Sequence, residues 1–257
     1  MKHYSILLIA ISTLLLNACV TPLEDSFLSA LKQTEFDTLT DGNYLVAGSP
    51  MHAALFSERA YSEMRNASKK LDLTFGFGCD DTYLIDTTPI LVAQPIKRVQ
   101  EHTNPVAGIW TYRFNATRCG LKRMFNLLAI AKGDGDIEYV SIPPGDTIAD
   151  FQLQKDTLPV VVSSAIFKAG RTGKSNLNKN CVRKGKVFDT LFLGRVKSEF
   201  DATNLAWEEI WILFMCGEQI SVYVEYQPDG KGGYHILTNE QSYLSRPDYN
   251  FRITKSE

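Results

Sequence analysis

Glu208 and Glu209 stand between Trp207 and Trp211. Paired carboxylates beside aromatic rings suit acid–base chemistry on sugars, one acid protonating a leaving oxygen while the other assists attack. Neighbouring residues of a strand point to opposite faces, however, so these two cannot serve one site. Glu209 is the more interesting, because it shares a face with Trp207 and Trp211. The plain reading puts one Glu in solvent and the other at the rim of a sheet. Trp110, Trp207 and Trp211 have the ring area to stack on a sugar, but their alternating context reads as core.

Other chemistry is thinner. Asp80-Asp81 with Asp86, and Asp134, Asp136 and Glu138, resemble loose calcium loops, yet a hairpin turn explains the second group without metal. His52, His102 and His235 stand in no metal-ligand spacing, and no G-x-S-x-G elbow is present. Gly170-Arg171-Thr172-Gly173-Lys174-Ser175 ends like a phosphate-binding loop, but Lys168 occupies the place of its first glycine. What survives there is charge. Lys168 to Lys186 holds seven Lys or Arg and no acid. Such a run is a solvated loop or a contact for anionic lipid heads or an acidic partner, with Arg171 and Lys174 its candidate binding residues. We expect no catalytic residue, no metal and no cofactor.

The elements that position these residues come in two copies. Trp110, Phe114 and Cys119-Gly120 recur as Trp207, Trp211 and Cys216-Gly217, and the same step carries Gly133 and Gly135 onto Gly230 and Gly232. Upstream, Asp37-Thr38-Leu39-Thr40-Asp41 recurs as Asp146-Thr147-Ile148-Ala149-Asp150, and Pro50 falls on Pro159. The first block reads as a turn. Ser49 as N-cap and Pro50 as first helical residue open a helix over about 51–70, with apolar residues every three or four positions. In the second copy Thr157 and Pro159 open a shorter helix to about Ala169, ended by Gly170. Val160 to Val162 would also suit a strand.

Tyr83 to Thr87 and Val187 to Thr190 read as strands. Trp110, Tyr112 and Phe114 share one face of the next, with Thr111, Arg113 and Asn115 opposite. Trp207, Glu209, Trp211 and Leu213 share a face too, but Ile210, Ile212 and Phe214 make the other face equally apolar, so this strand is covered on both sides. Ile220, Val222, Val224 and Tyr226 face in, with Ser221, Tyr223 and Glu225 out. Pro228-Asp229-Gly230 turns the chain into a strand over Tyr234–Leu237. The expected fold is α+β: two similar helix-plus-antiparallel-sheet halves from an internal duplication, packed face to face or as one sheet. The divisions are 1–18, 19–35, 36–143 and 144–257.

The first eighteen residues form no part of that body. Lys2 precedes an apolar run, Ile6 to Leu16, that is too short to span a bilayer. It ends in Leu16-Asn17-Ala18-Cys19, which resembles the lipobox of bacterial lipoproteins. The resemblance implies cleavage before Cys19, lipid attachment to its thiol, and a tether over 19–35. Val20, rather than Asp, follows the cysteine, which implies the outer membrane, facing the periplasm. The multiple acyl chains of that family anchor firmly, where a single chain binds only marginally.

Exported proteins oxidise their cysteines, so Cys79, Cys119, Cys181 and Cys216 read as two disulfides. Three pairings are possible; Cys79–Cys119 and Cys181–Cys216 close the shortest loops, one in each copy. With 27 basic against 29 acidic side chains and a net charge of −2, the chain has no electrostatic case for nucleic acid. These features favour a non-enzymatic, periplasm-facing outer-membrane lipoprotein that binds or scaffolds an envelope protein or anionic glycolipid. The alternatives are an envelope hydrolase acting on glycan or peptide through Glu209, and a carrier of a small apolar ligand. Oligomeric state is not legible in these residues.

Overall fold

A computed structural model describes residues 36–43, 45–78, 82–171, 185–198, 205–215, 218–238 and 254–255. Cys19, Cys79, Cys181, Cys216 and Lys174 lie outside these, as does the side chain of Arg171. The chain is mixed α and β, with two antiparallel sheets.

In order, the elements are β1 (Phe36–Leu39), α1 (Pro50–Leu55), α2 (Glu58–Thr74), β2 (Leu84–Thr87), β3 (Leu91–Val99), β4 (Ala107–Arg118), β5 (Leu121–Ala131) and β6 (Ile137–Ile142). Then come α3 (Phe151–Arg171), β7 (Lys186–Lys197), β8 (Leu205–Met215), β9 (Glu218–Pro228), β10 (Tyr234–Leu237) and β11 (Thr254–Lys255). Sheet one runs β1-β3-β4-β5, with β2 also on β4 and both β6 and β11 on β5. Sheet two runs β10-β9-β8-β7. Among the described residues the strands thus form two separate sheets, of seven strands and of four.

Several local expectations change. The helix expected over 51–70 is two helices. Ser49 caps the first as predicted, its hydroxyl accepting from His52 N at 3.1 Å. The break comes at Phe56 (φ −106°, ψ 45°), and Ser57 caps the second helix by accepting from Ala60 N. The Tyr112 hydroxyl, from β4, donates to the Leu55 carbonyl and so satisfies a helix-end acceptor that would otherwise be buried unpaired. Asp37 to Leu39 is not a turn but part of β1, paired with β3 from Phe36↔Val99 to Leu39↔Ile96. The second long helix starts at Phe151, eight residues before Pro159, and has not ended at Gly170. Asp150 caps it, Oδ1 accepting from Leu153 N at 2.8 Å. Pro159 and Lys155 are both exposed, so the bond that proline removes lies on the outer side of the helix.

The strand faces follow the alternation. Trp110, Tyr112 and Phe114 lie buried between sheet one and α1–α2, with Met64, Ile96, Phe125 and Leu127. Trp207, Trp211, Leu213, Val222, Val224 and Tyr226 pack under α3. The opposite face of β8 is covered as well: Ile210, Ile212 and Tyr223 are buried with Phe188. Tyr223 is thus inside, not outside. Its cover comes from the first half of the chain. Phe75 and Phe77, in the turn after α2, meet the Phe188 ring at 4.9 and 5.5 Å.

The β4–β5 hairpin closes from Arg118↔Leu121 through Cys119 (φ 46°) and Gly120 (φ 68°). Positive φ at both positions is the type I′ form of a two-residue hairpin loop, which suits the glycine after Cys119.

Buried charge joins α2 to both sheets. Asp72 is 0% exposed and takes Arg118 Nε at 2.6 Å and Arg123 Nη1 at 2.8 Å. Arg123 also donates to the Phe188 carbonyl on β7 and lies 4.0 Å from the centre of the Phe188 ring. Replacing Asp72 by Asn strands two buried guanidiniums, and breaking a buried pair in this way costs about 3–5 kcal/mol. We expect Asp72→Asn to lose that much in urea unfolding; an unchanged midpoint would show that the pairs contribute nothing.

Candidate functional site

Glu209 is neither solvated nor at a rim. It is 0% exposed, in the middle of β8 under α3. Alternation puts its carboxylate between the two tryptophans of the same face, and both indoles turn to it. Trp207 Nε1 donates to Oε1 and Trp211 Nε1 to Oε2, each at 3.0 Å. The Thr147 hydroxyl lies 2.8 Å from both oxygens, and Ile148 N donates to Oε1 at 3.0 Å. A buried charge is tolerated when its lone pairs are filled this fully. Glu208 points to the other face and stands opposite Glu225 on β9. The two acids do not meet, as alternation requires.

The donors Thr147 and Ile148 belong to the segment 143–150 that links the halves. It is stitched to both sheets. On sheet one, Asn126 Nδ2 donates to the carbonyls of Pro143 and Gly145 at 2.8 and 2.9 Å, and Arg113 donates to the Thr147 carbonyl. On sheet two, the Thr190 hydroxyl donates to the Pro144 carbonyl at 2.7 Å, and Asp146 N donates to the Thr190 carbonyl at 3.0 Å. Phe192 N donates to Asp146 Oδ1 at 2.6 Å. The segment therefore occupies the edge of β7 where a further strand would pair. Gly145 (φ 104°) makes this approach possible, since a Cβ there would lie 2.1 Å from the Thr190 carbonyl oxygen.

Ionisation in this region follows from burial. Desolvation lowers the pKa of Arg113, against the opposing pull of Asp146 and Glu209. Desolvation likewise lowers that of Arg123, opposed by Asp72 and Asp189. Tyr226, stacked 4.7 Å from Trp207, is pushed up by burial and then by the nearby Glu209 charge, so it stays a neutral phenol.

The remaining candidates are dispersed. Trp110 is buried in sheet one, apart from Trp207 and Trp211 under α3. Lys168, which opens the basic run, donates from α3 to the Ser221 carbonyl at 3.1 Å, and Lys186 is exposed at the start of β7. Asp134 and Asp136 are hairpin residues: Asp134 Oδ1 accepts from Asp136 N, and Asp136 pairs with Arg59 at 2.9 Å. Among the described residues no cluster of His, Cys, Asp or Glu could hold a metal ion. Arg113, Arg123, Asp146, Thr147 and Asp189 were missed as a group; no spacing links them, though Thr147 falls in the repeated D-T-x-x-D block. No family model, curated protein or solved structure matches the chain.

Replacing Glu209 by Gln turns an amide N–H toward donors that now need an acceptor. Each donor left buried and unpaired costs about 1–3 kcal/mol. We expect Glu209→Gln to lower stability by at least that amount, read by tryptophan fluorescence during urea unfolding. Undiminished stability together with a lost cellular phenotype would instead mark Glu209 as chemically active.

Proposed function

We propose that this chain is a periplasm-facing outer-membrane lipoprotein that binds or scaffolds another envelope component and performs no chemistry of its own. The observation that carries the reading is the apolar run Ile6 to Leu16 ending in Leu16-Asn17-Ala18-Cys19, with Val20 after it. Among the described residues no helix is long and apolar enough to cross a membrane. Glu209, on which the hydrolase alternative rested, has its carboxylate fully engaged by Trp207, Trp211, Thr147 and Ile148. Its commitment to structure supports the binding role over the hydrolase.

The body is proposed to descend from a duplication. Corresponding strands keep the same partners: Trp110 faces Ala129 as Trp207 faces Tyr226, and Asp86 faces Asn115 as Asp189 faces Ile212. The disulfides Cys79–Cys119 and Cys181–Cys216 belong to the same proposal, one closing each copy. A non-reduced peptide map should contain these two cross-linked pairs; a Cys119–Cys216 or Cys119–Cys181 peptide would refute the pairing.

Cys19→Ser tests the anchor. Wild-type chain should incorporate labelled palmitate and pellet with outer membranes, and the variant should do neither. Labelling and pelleting that persist in the variant would overturn the anchoring. Crosslinking in living cells tests the binding role, which predicts one recurrent envelope adduct. Monomer alone, from abundant anchored protein, would contradict it.

A further inference from the structure

The joint between the sheets holds an unbalanced set of charges. Asp72 (α2), Asp146 (the linking segment), Asp189 (β7) and Glu209 (β8) face Arg113 and Arg118 (β4) and Arg123 (β5). Two of the acids are well served. Asp72 has two arginines, and Glu209 has four donor groups. Asp146 accepts from Phe192 N and lies in the field of Arg113. Asp189 has the weakest set: Oδ1 accepts from the neighbouring Thr190 N–H at 3.0 Å. Its favourable charge is Arg123, which Asp72 already engages, and it feels the like charge of Asp146. It sits at a register shift of β7, between Val187 and Asp189, with Oδ1 against Gly145.

We propose that this joint is a proton-operated latch, in which a protonated Asp189 lets the 144–147 segment seat on β7 and an ionised Asp189 loosens it. The mechanism is short-range. An anionic Asp189 repels the Asp146 carboxylate, and that carboxylate is what holds Phe192 N–H. The neighbouring bond from Asp146 N to the Thr190 carbonyl loosens with it. A neutral Asp189 brings the charges at the joint into balance and removes the repulsion. Burial first, then Asp146, raises the Asp189 carboxyl to about 6, against the lowering pull of Arg123 and Thr190 N–H.

The sign follows from linkage. A carboxyl raised in the folded state holds its proton there over a range where the unfolded chain has already lost it. The contribution of Asp189 to stability therefore falls as pH rises from about 4 to about 6, and the loss is complete above that. Two pH units correspond to about a hundred-fold in the folding equilibrium.

The test combines a variant with a titration of the wild type. Asp189→Asn mimics the neutral acid at nearly constant shape. Its thermal midpoint should exceed the wild type's at pH 7.5 and converge with it near pH 4; parallel curves would overturn the latch. In wild type, the Asp189 carboxyl carbon should titrate near 6 by NMR, and a midpoint near 4 would overturn it independently of the variant's folding. Amide exchange at Asp146 and Phe192, corrected for intrinsic rates, should be slower at pH 5 than at pH 8 in wild type. In Asp189→Asn it should be equally slow at both. A pH-independent wild-type exchange would show the segment does not move with the proton.

Discussion

One guanidinium ties three parts of this molecule together. Arg123 leaves β5 on the helix face of sheet one, pairs with Asp72 of α2, and ends against the carbonyl and ring of Phe188 on β7. A planar group with five donors can do this; a lysine cannot. Asp72 in turn holds Arg118, so the C-terminal part of α2 is fixed over the end of the β4–β5 hairpin. With the helix held there, the turn that follows delivers Phe75 and Phe77 to the back of sheet two. The apolar contact between the halves thus depends on a buried ionic one.

The second tie runs through backbone. The segment 143–150 satisfies the edge of β7, accepts from Asn126 and Arg113 of sheet one, and donates to Glu209 of sheet two. Sheet two is consequently enclosed by α3 on one face, Phe75 and Phe77 on the other, and the linking segment along β7. That enclosure explains why β8 reads as apolar on both sides, and why a carboxylate in its centre must be saturated by indole, hydroxyl and backbone donors rather than by water.

The parts of this arrangement legible in the sequence are those set by near neighbours. The inward faces of β4, β8 and β9 follow from alternation, and the Asp229 turn from its Pro-Asp-Gly composition, with the carboxylate accepting from Lys231 and Gly233 N–H. Most of what the sequence hides is set by distant partners. The helix breaks at Phe56 because Tyr112, far along the chain, takes the Leu55 carbonyl. Asp37 to Leu39 has the composition of a turn and becomes a strand because β3 pairs with it and Arg98 meets Asp37. Pro159 looks like a helix start, but Asp150 caps the helix earlier and the proline lies on its exposed side. Glu209 looks like a rim acid because its donors Thr147 and Ile148 lie in another part of the chain. The same distance hides the Asp189 cluster: Asp146 and Asp189 each precede a threonine, but no spacing joins them to Arg113 and Arg123.

The claim on which the rest depends is that the two sheets form one cooperative body through the joint. Native-state hydrogen exchange measures it directly, by comparing the slowest amides of β4 and β5 with those of β8 and β9 across a denaturant series. If the joint holds the sheets together, both sets open with the same free energy and the same denaturant dependence. If one set opens at a distinctly lower free energy while the other stays protected, the sheets fold independently, and the buried charges between them do not couple them.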